Sequence, residues 1–97
     1  MIADLSGKTA IITGGGQGLG FGISTKIAGQ GANIIVTDLD DRNKSAVEEL
    51  AKKNNVKSLY LEMDVTDSNT IAHAIGKAIE FSNIDILVNN AGVPGAP

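Results

Sequence analysis

Short apolar runs alternating with segments of helical period predict an α/β fold built from βαβ units around a parallel sheet. Two observations carry this. Ala10, Ile11 and Ile12, then Ile34, Ile35 and Val36, then Ile86, Leu87 and Val88 are unbroken aliphatic runs, as in strands buried on both faces. The segments between them space their apolar residues three and four apart, which is the period of one helix face. With 97 residues, 42% of them hydrophobic, and no linker, repeat or low-complexity tract, the chain holds one domain at most.

Taken in order, the first run opens the stretch "AIITGGGQGLGFG", residues 10–22. After its glycines, Leu19, Ile23 and Ile27 recur every four residues and predict the first helix, with Gly31 placed to end it. The second run closes on Asp38. Val47, Leu50 and Ala51 form the stripe of a second helix, with Asp40 or Asp41 near its start. Glu48 with Lys52 and Glu49 with Lys53 make i,i+4 charge pairs on its outer face. "SLYLEMD", residues 58–64, alternates Leu59, Leu61 and Met63 with Ser58, Tyr60 and Glu62, which predicts a half-solvated strand at a sheet edge. Thr66 or Asp67 caps a third helix with the stripe Ile71, Ile75, Ala78 and Ile79. The fourth strand follows, and "GVPGAP" reads as loop.

Composition excludes several functions. A net charge of −3 with scattered basic residues argues against a nucleic-acid or anionic-membrane surface. The absence of cysteine rules out disulfides and thiolate metal sites, and no other metal cluster is evident. "MIADLSGKTAIIT" shows neither a signal peptide nor a membrane span, so a cytoplasmic protein is expected. "SGKT" at residues 6–9 lacks the upstream glycine and strand of a phosphate-binding P-loop. His73 falls on the solvated side of the third helix.

The glycines mark the chemistry. A bare turn between a strand and a helix brings backbone N–H groups to the positive end of the helix, where they bind phosphate. The strict G-x-G-x-x-G spacing is absent; the spacing present is T-G-x-x-x-G-x-G, from Thr13 to Gly20. Gly14 permits the turn, Gly18 admits a pyrophosphate, and Gly20 lets the helix pack closely. Asp38, 18 residues beyond Gly20, is placed to accept both ribose hydroxyls of NAD and to repel the 2′-phosphate of NADP. Gln17 and Leu39, which would have to welcome that phosphate, are not cationic.

Thr13 to Gly20, Asp38, Asp64 with Val65, and Asn89-Asn90-Ala91-Gly92 occur in that order, and together they resemble the short-chain dehydrogenase/reductase family. The likeness covers the whole chain but only the N-terminal part of that family's catalytic domain. It implies a Rossmann-type sheet of strand order 3-2-1-4, with the first two helices on one face and the third on the other. Residues 1–97 are then the dinucleotide-binding part of a single domain, incomplete after the fourth strand. By the same likeness, Gly14, Gln17, Gly18 and Leu19 line the diphosphate and adenosine side of NAD. Asp64 accepts from the adenine amino group beside the Val65 backbone, unless it serves instead as a helix cap. Asn90 and the Ala91-Gly92 backbone border the ribose, while Asn89 braces the sheet.

The family's tyrosine, lysine, serine and asparagine lie beyond the fourth strand, and Tyr60, with no lysine four residues on, is not that tyrosine. The resemblance therefore implies an N-terminal portion of an NAD-dependent oxidoreductase interconverting an alcohol and a carbonyl, inactive by itself. The alternative is a non-enzymatic nucleotide-binding half-domain that pairs with another chain. A methyltransferase on a similar sheet fits less well, because of Asn89-Asn90-Ala91-Gly92. An apolar fourth strand at an open edge also predicts self-association.

Overall fold

The computed structural model describes residues 4–90. Strands β1 (Thr9–Thr13), β2 (Asn33–Asp38), β3 (Ser58–Glu62) and β4 (Ile86–Asn89) alternate with helices α1 (Gly18–Gly29), α2 (Lys44–Lys53) and α3 (Ser68–Phe81). The strands form one parallel sheet in the order β3-β2-β1-β4, as the family resemblance implies.

Register explains where the core sits. Ala10 aligns with Ile34 and Ile86, and Ile12 with Val36 and Val88, so these residues share one face of the pleat. Ile12, Ile34 and Val36 are fully buried there beneath Ala28 of α1 and Val47 and Leu50 of α2. The other face carries Ile11 and Leu87, which border a groove with Ile71, Ala74 and Ile75 of α3. Helices thus cover both faces.

Some local expectations need correction. Helix α1 packs Ile23 and Ile27 of its expected stripe half-buried against the core but leaves Leu19 out, and α3 does not bury its large aliphatic residues. In α1 the buried line is Gly20, Ser24 and Ala28, while Leu19 is 76% exposed. In α3 it is Ala74 and Ala78, while Ile79 is 66% exposed. In both helices the small side chains hold the most buried positions, and Leu19, Ile75 and Ile79 are left exposed. Asp40 and Asp41 do not cap α2; Asn43 precedes it and makes no side-chain cap bond. The pairs Glu48 with Lys52 and Glu49 with Lys53 are not closed, and the ion pairs among the described residues are Arg42 with Asp40 and Lys77 with Glu80.

The alternation in "SLYLEMD" marks the sheet edge correctly but does not divide dry from wet. Tyr60 packs against the α1/α2 core, while Leu59 and Leu61 are only half-buried. Val47, Leu50 and Ala51 are buried as expected, and Asp67 caps α3 by accepting from the Asn69 N–H at 2.9 Å. His73 is exposed.

Candidate functional site

The turn from β1 into α1 is tied to the end of β2. Gly14, at φ +65°, donates its N–H to the Thr37 carbonyl at 2.7 Å, and Gly15 donates to the same oxygen at 3.3 Å. A left-handed residue there suits glycine, which has no Cβ to collide with its own carbonyl. Gln17 precedes α1 in an extended conformation and offers no side-chain cap, and no acidic residue stands in the first turn. The first N–H groups of α1 are thus left for another acceptor at the positive end of the helix dipole.

Gly20 permits the closest approach in the turn. A Cβ there would run into the Gly14 carbonyl and lie 2.7 Å from Asn90 Nδ2. What Gly20 packs against is therefore the turn itself and the end of β4. Asn90 Nδ2 donates to the Gly14 carbonyl at 3.2 Å, and the Asn90 N–H donates to Thr13 Oγ1 at 2.9 Å. Thr13 Oγ1 in turn lies 3.2 Å from Asn89 Oδ1, so Asn89 braces β1 against β4, the structural part expected of it.

Asp38 stands at the end of β2 with both carboxylate oxygens engaged by backbone donors. The Gly16 N–H donates to Oδ2 at 3.2 Å and the Leu39 N–H to Oδ1 at 2.9 Å. Each oxygen retains a further lone pair. Beyond it, the Tyr60 hydroxyl donates to the Asp40 carbonyl at 2.8 Å. Burial, then the nearby Asp38 and Asp40 charges, push that phenol above its ordinary range, so it remains a donor.

Asp64 follows β3 in a turn of its own. Its Oδ1 accepts from the Thr66 hydroxyl at 2.6 Å and from the Thr66 N–H at 2.9 Å, and these bonds hold the carboxyl below its usual range. The Asp64 main chain is latched by Thr70, whose hydroxyl accepts from the Asp64 N–H and approaches its carbonyl at 2.9 Å. Helix capping falls to Asp67, which leaves Asp64 Oδ2 without a hydrogen bond among the described residues.

These strand ends enclose a cleft of about 470 Å³. Gly14, Gln17, Leu19, Gly20, Asp38, Leu39, Asp64, Val65 and Asn90, all singled out in the sequence, line it together. Gly18 is exposed on the turn and does not line the cleft, and Ala91 and Gly92 lie outside the described residues. Thr37, Met63 and Thr66 also line it, although the sequence did not mark them as site residues. Their signal was adjacency: each stands within two residues of Asp38 or Asp64 at the end of a parallel strand, where such sheets bind ligands. Leu39 is 68% exposed, and with Leu19 and Val65 it gives the cleft apolar walls. No Lys or Arg lines it.

A sequence profile of the family described as short chain dehydrogenase matches residues 8–97. The chain belongs to the short-chain dehydrogenase family. Among its relatives in this family, L-2,3-butanediol dehydrogenase of Corynebacterium glutamicum is 42% identical over 89 residues, covering 89% of this chain and 34% of that protein. L-Sorbose reductase from Gluconobacter frateurii, solved with NADPH and L-sorbose, superposes with a TM-score of 0.88 at 35% identity, covering 96% of this chain and 36% of that one. Carveol dehydrogenase from Mycobacterium avium, solved with NAD, gives a TM-score of 0.85 at 26% identity, over 94% of this chain and 38% of that one. The chain therefore spans about a third of the length of these short-chain dehydrogenases. Among the described residues, no helix is long and apolar enough to cross a membrane, and no group of three or more His, Cys, Asp or Glu is arranged to hold a metal.

Proposed function

We propose that residues 1–97 form the N-terminal, adenosine- and diphosphate-binding part of a larger domain, that of an NAD-dependent oxidoreductase interconverting an alcohol and a carbonyl. The observation that carries this reading is Asp38 lining the same cleft as the bare turn into α1. The cleft volume lies within the roughly 300–1,000 Å³ common for small-molecule sites. The residues present fit a dinucleotide. The uncapped first turn of α1 attracts the diphosphate, with Gly14, Gln17, Gly18 and Leu19 around it. The spare lone pairs of Asp38 accept the two ribose hydroxyls, and Leu39, Leu19 and Val65 flank the adenine. Asp64, held ionised by Thr66, accepts from the adenine amino group. Asn90, with the Ala91-Gly92 backbone, borders the ribose on the nicotinamide side. When bound, the nicotinamide ring supplies hydride transfer.

Preference for NAD over NADP is supported by the same carboxylate. A 2′-phosphate would approach Asp38 with no cation lining the cleft to offset the repulsion. Titration of NAD and NADP into the protein tests this, and equal affinity would overturn it. Hydrogen bonds to a charged group are worth about 1.5–3 kcal/mol each, so Asp38→Ala is expected to weaken NAD binding tenfold or more. The family's acid–base tyrosine and lysine have no counterpart in residues 1–97, so the 97-residue chain is expected to bind nucleotide weakly and to reduce no NAD.

Two further parts of the proposal concern setting and association. A cytoplasmic location is tested by cell fractionation. Self-association through β4 is supported by the position of β4 at the sheet edge with Leu87 68% exposed, and the same edge would serve the alternative of a non-enzymatic half-domain that pairs with another chain.

A further inference from the structure

The loop that follows Asp38 carries a cation that is already engaged. Arg42 is the basic residue nearest Asp38 in sequence, three positions beyond Leu39, which lines the cleft, and its guanidinium has the fork that suits a phosphate. Its guanidinium is instead closed on Asp40, with Nε 3.2 Å from Oδ1 and Nη2 3.0 Å from Oδ2. This is the forked edge that a phosphate would occupy. The Arg42 backbone N–H also donates to Asp40 Oδ1, at 3.0 Å, so main chain and side chain of Arg42 are both anchored on one carboxylate. The anchor is itself fixed from below, where the half-buried Tyr60 hydroxyl donates to the Asp40 carbonyl at 2.8 Å.

We infer that Asp40 is a specificity-determining positioning residue: pinned by Tyr60 and closed on Arg42, it withholds the loop's cation from a ribose 2′-phosphate. The inference rests on the reading that the cleft takes the adenosine half of a nicotinamide dinucleotide. It adds a second discriminating device to Asp38. The first repels the 2′-phosphate directly; the second removes the compensation that Arg42 would otherwise supply. The side chains of Arg42 and Asp40 are 71% and 48% exposed, so solvent screens their attraction. The pairing persists because the backbone bond and the Tyr60 contact already hold Asp40 in place, so little further ordering is needed to close the fork. Asp41, between the two in sequence, and Asp38, two residues before Asp40, add negative charge.

Binding of 5′-AMP and of adenosine 2′,5′-bisphosphate to the 97-residue chain, measured by NMR shift titration, tests it. The wild-type chain is expected to favour 5′-AMP. Asp40→Asn keeps an acceptor for the Arg42 N–H but loses the charge, and is expected to raise relative affinity for the bisphosphate about three- to tenfold. Adding Arg42→Gln should return the ratio to within about twofold of wild type, because the gain belongs to the pair. Tyr60→Phe should shift the ratio in the same direction while the aromatic packing is kept. An unchanged ratio in Asp40→Asn overturns the inference, as does a gain that survives Arg42→Gln, since that gain would be relief of repulsion alone. An unchanged ratio in Tyr60→Phe overturns the part given to Tyr60. Binding of both nucleotides by the wild type with either of these negative results leaves the proposed function intact. Binding of neither removes that reading and this inference together.

Discussion

The Gly16 N–H donates to the Asp38 carboxylate at 3.2 Å, joining the turn after β1 to the end of β2 across 22 residues of sequence. The bond lets the carboxylate proposed to take the ribose hydroxyls also set the turn proposed to take the phosphates. It requires close approach: a Cβ on Gly16 would lie 2.8 Å from Asp38 Oδ2 and 3.1 Å from both Asn43 Cβ and the Tyr60 hydroxyl. Gly16→Ala is therefore expected to displace the Asp38 carboxylate and to destabilise the fold by about 1–3 kcal/mol, the usual cost of overpacking. Urea unfolding gives the stability, and NAD titration gives the site. Unchanged values of both would contradict this account of the turn.

The cap on α3 supports a smaller expectation. Asp67 Oδ1 satisfies the Asn69 N–H at 2.9 Å, one of four donors that the start of the helix leaves open. Asp67→Ala is expected to lower the unfolding free energy by about 1 kcal/mol, with Asp67→Asn retaining most of it. Denaturant midpoints of the two variants check this. An alanine variant as stable as the wild type would assign the start of α3 to the Thr70 latch instead.

The parallel sheet and the position of the cleft were legible from long aliphatic runs and from residues at strand ends, whereas the strand order came from the family resemblance. Asp38 and Asp64 had to meet at the C-terminal ends of a parallel sheet once "AIIT", "NIIVTD" and "SLYLEMD" were aligned. The buried faces of α1 and α3 were legible only in part, at Ile23, Ile27 and Ala78. Periodicity gives the angle of an apolar stripe, but not how near the helix axis lies to the sheet. Where Gly20, Ser24 and Ala28 or Ala74 and Ala78 permit close contact, they become the interface and the larger Leu19, Ile75 and Ile79 turn away. The Tyr60 bond to Asp40 was hidden for another reason. It joins residues 20 apart through a backbone carbonyl, which leaves no pattern in side-chain types.

Asp64 gives a pH-dependent prediction. The Thr66 hydroxyl and N–H stabilise its charged form, so its carboxyl titrates below the ordinary 3.8. A carboxyl with a lower value folded than unfolded contributes stability that is complete above pH about 4 and is lost as the pH falls through the folded value. NMR titration of the Asp64 carboxyl carbon is expected to give a midpoint below 3.8, and Thr66→Val should move it back upward. A wild-type midpoint at or above 3.8 would mean that the Asp64 turn does not hold in solution.

The last prediction concerns β4, whose outer edge has no neighbour among the described strands. Its residues Ile86, Leu87 and Val88 carry no charge, and such an edge recruits another strand. For two copies meeting antiparallel, side chains directly opposite must share a face of the joined sheet. A twofold axis centred on Leu87 satisfies this and pairs the whole strand: Leu87 with its copy, Ile86 with Val88, and Asp85 with Asn89. No like charges then stand opposite one another along the strand, and the two exposed leucines bury each other on the face of α3, beside Ile75. The β3 edge lacks these features, since Glu62 is exposed there and Lys57 precedes it. The chain is therefore expected to self-associate through β4. Leu87→Lys places two cations together at the axis and removes two buried leucines, each worth about 1.5–3 kcal/mol, so it should raise the concentration for association at least tenfold. A charge added to β3, Leu61→Lys, should leave association unchanged. Sedimentation across a concentration series distinguishes the cases: a folded wild-type monomer at millimolar concentration, or association unaffected by Leu87→Lys, would show that β4 is not the contact.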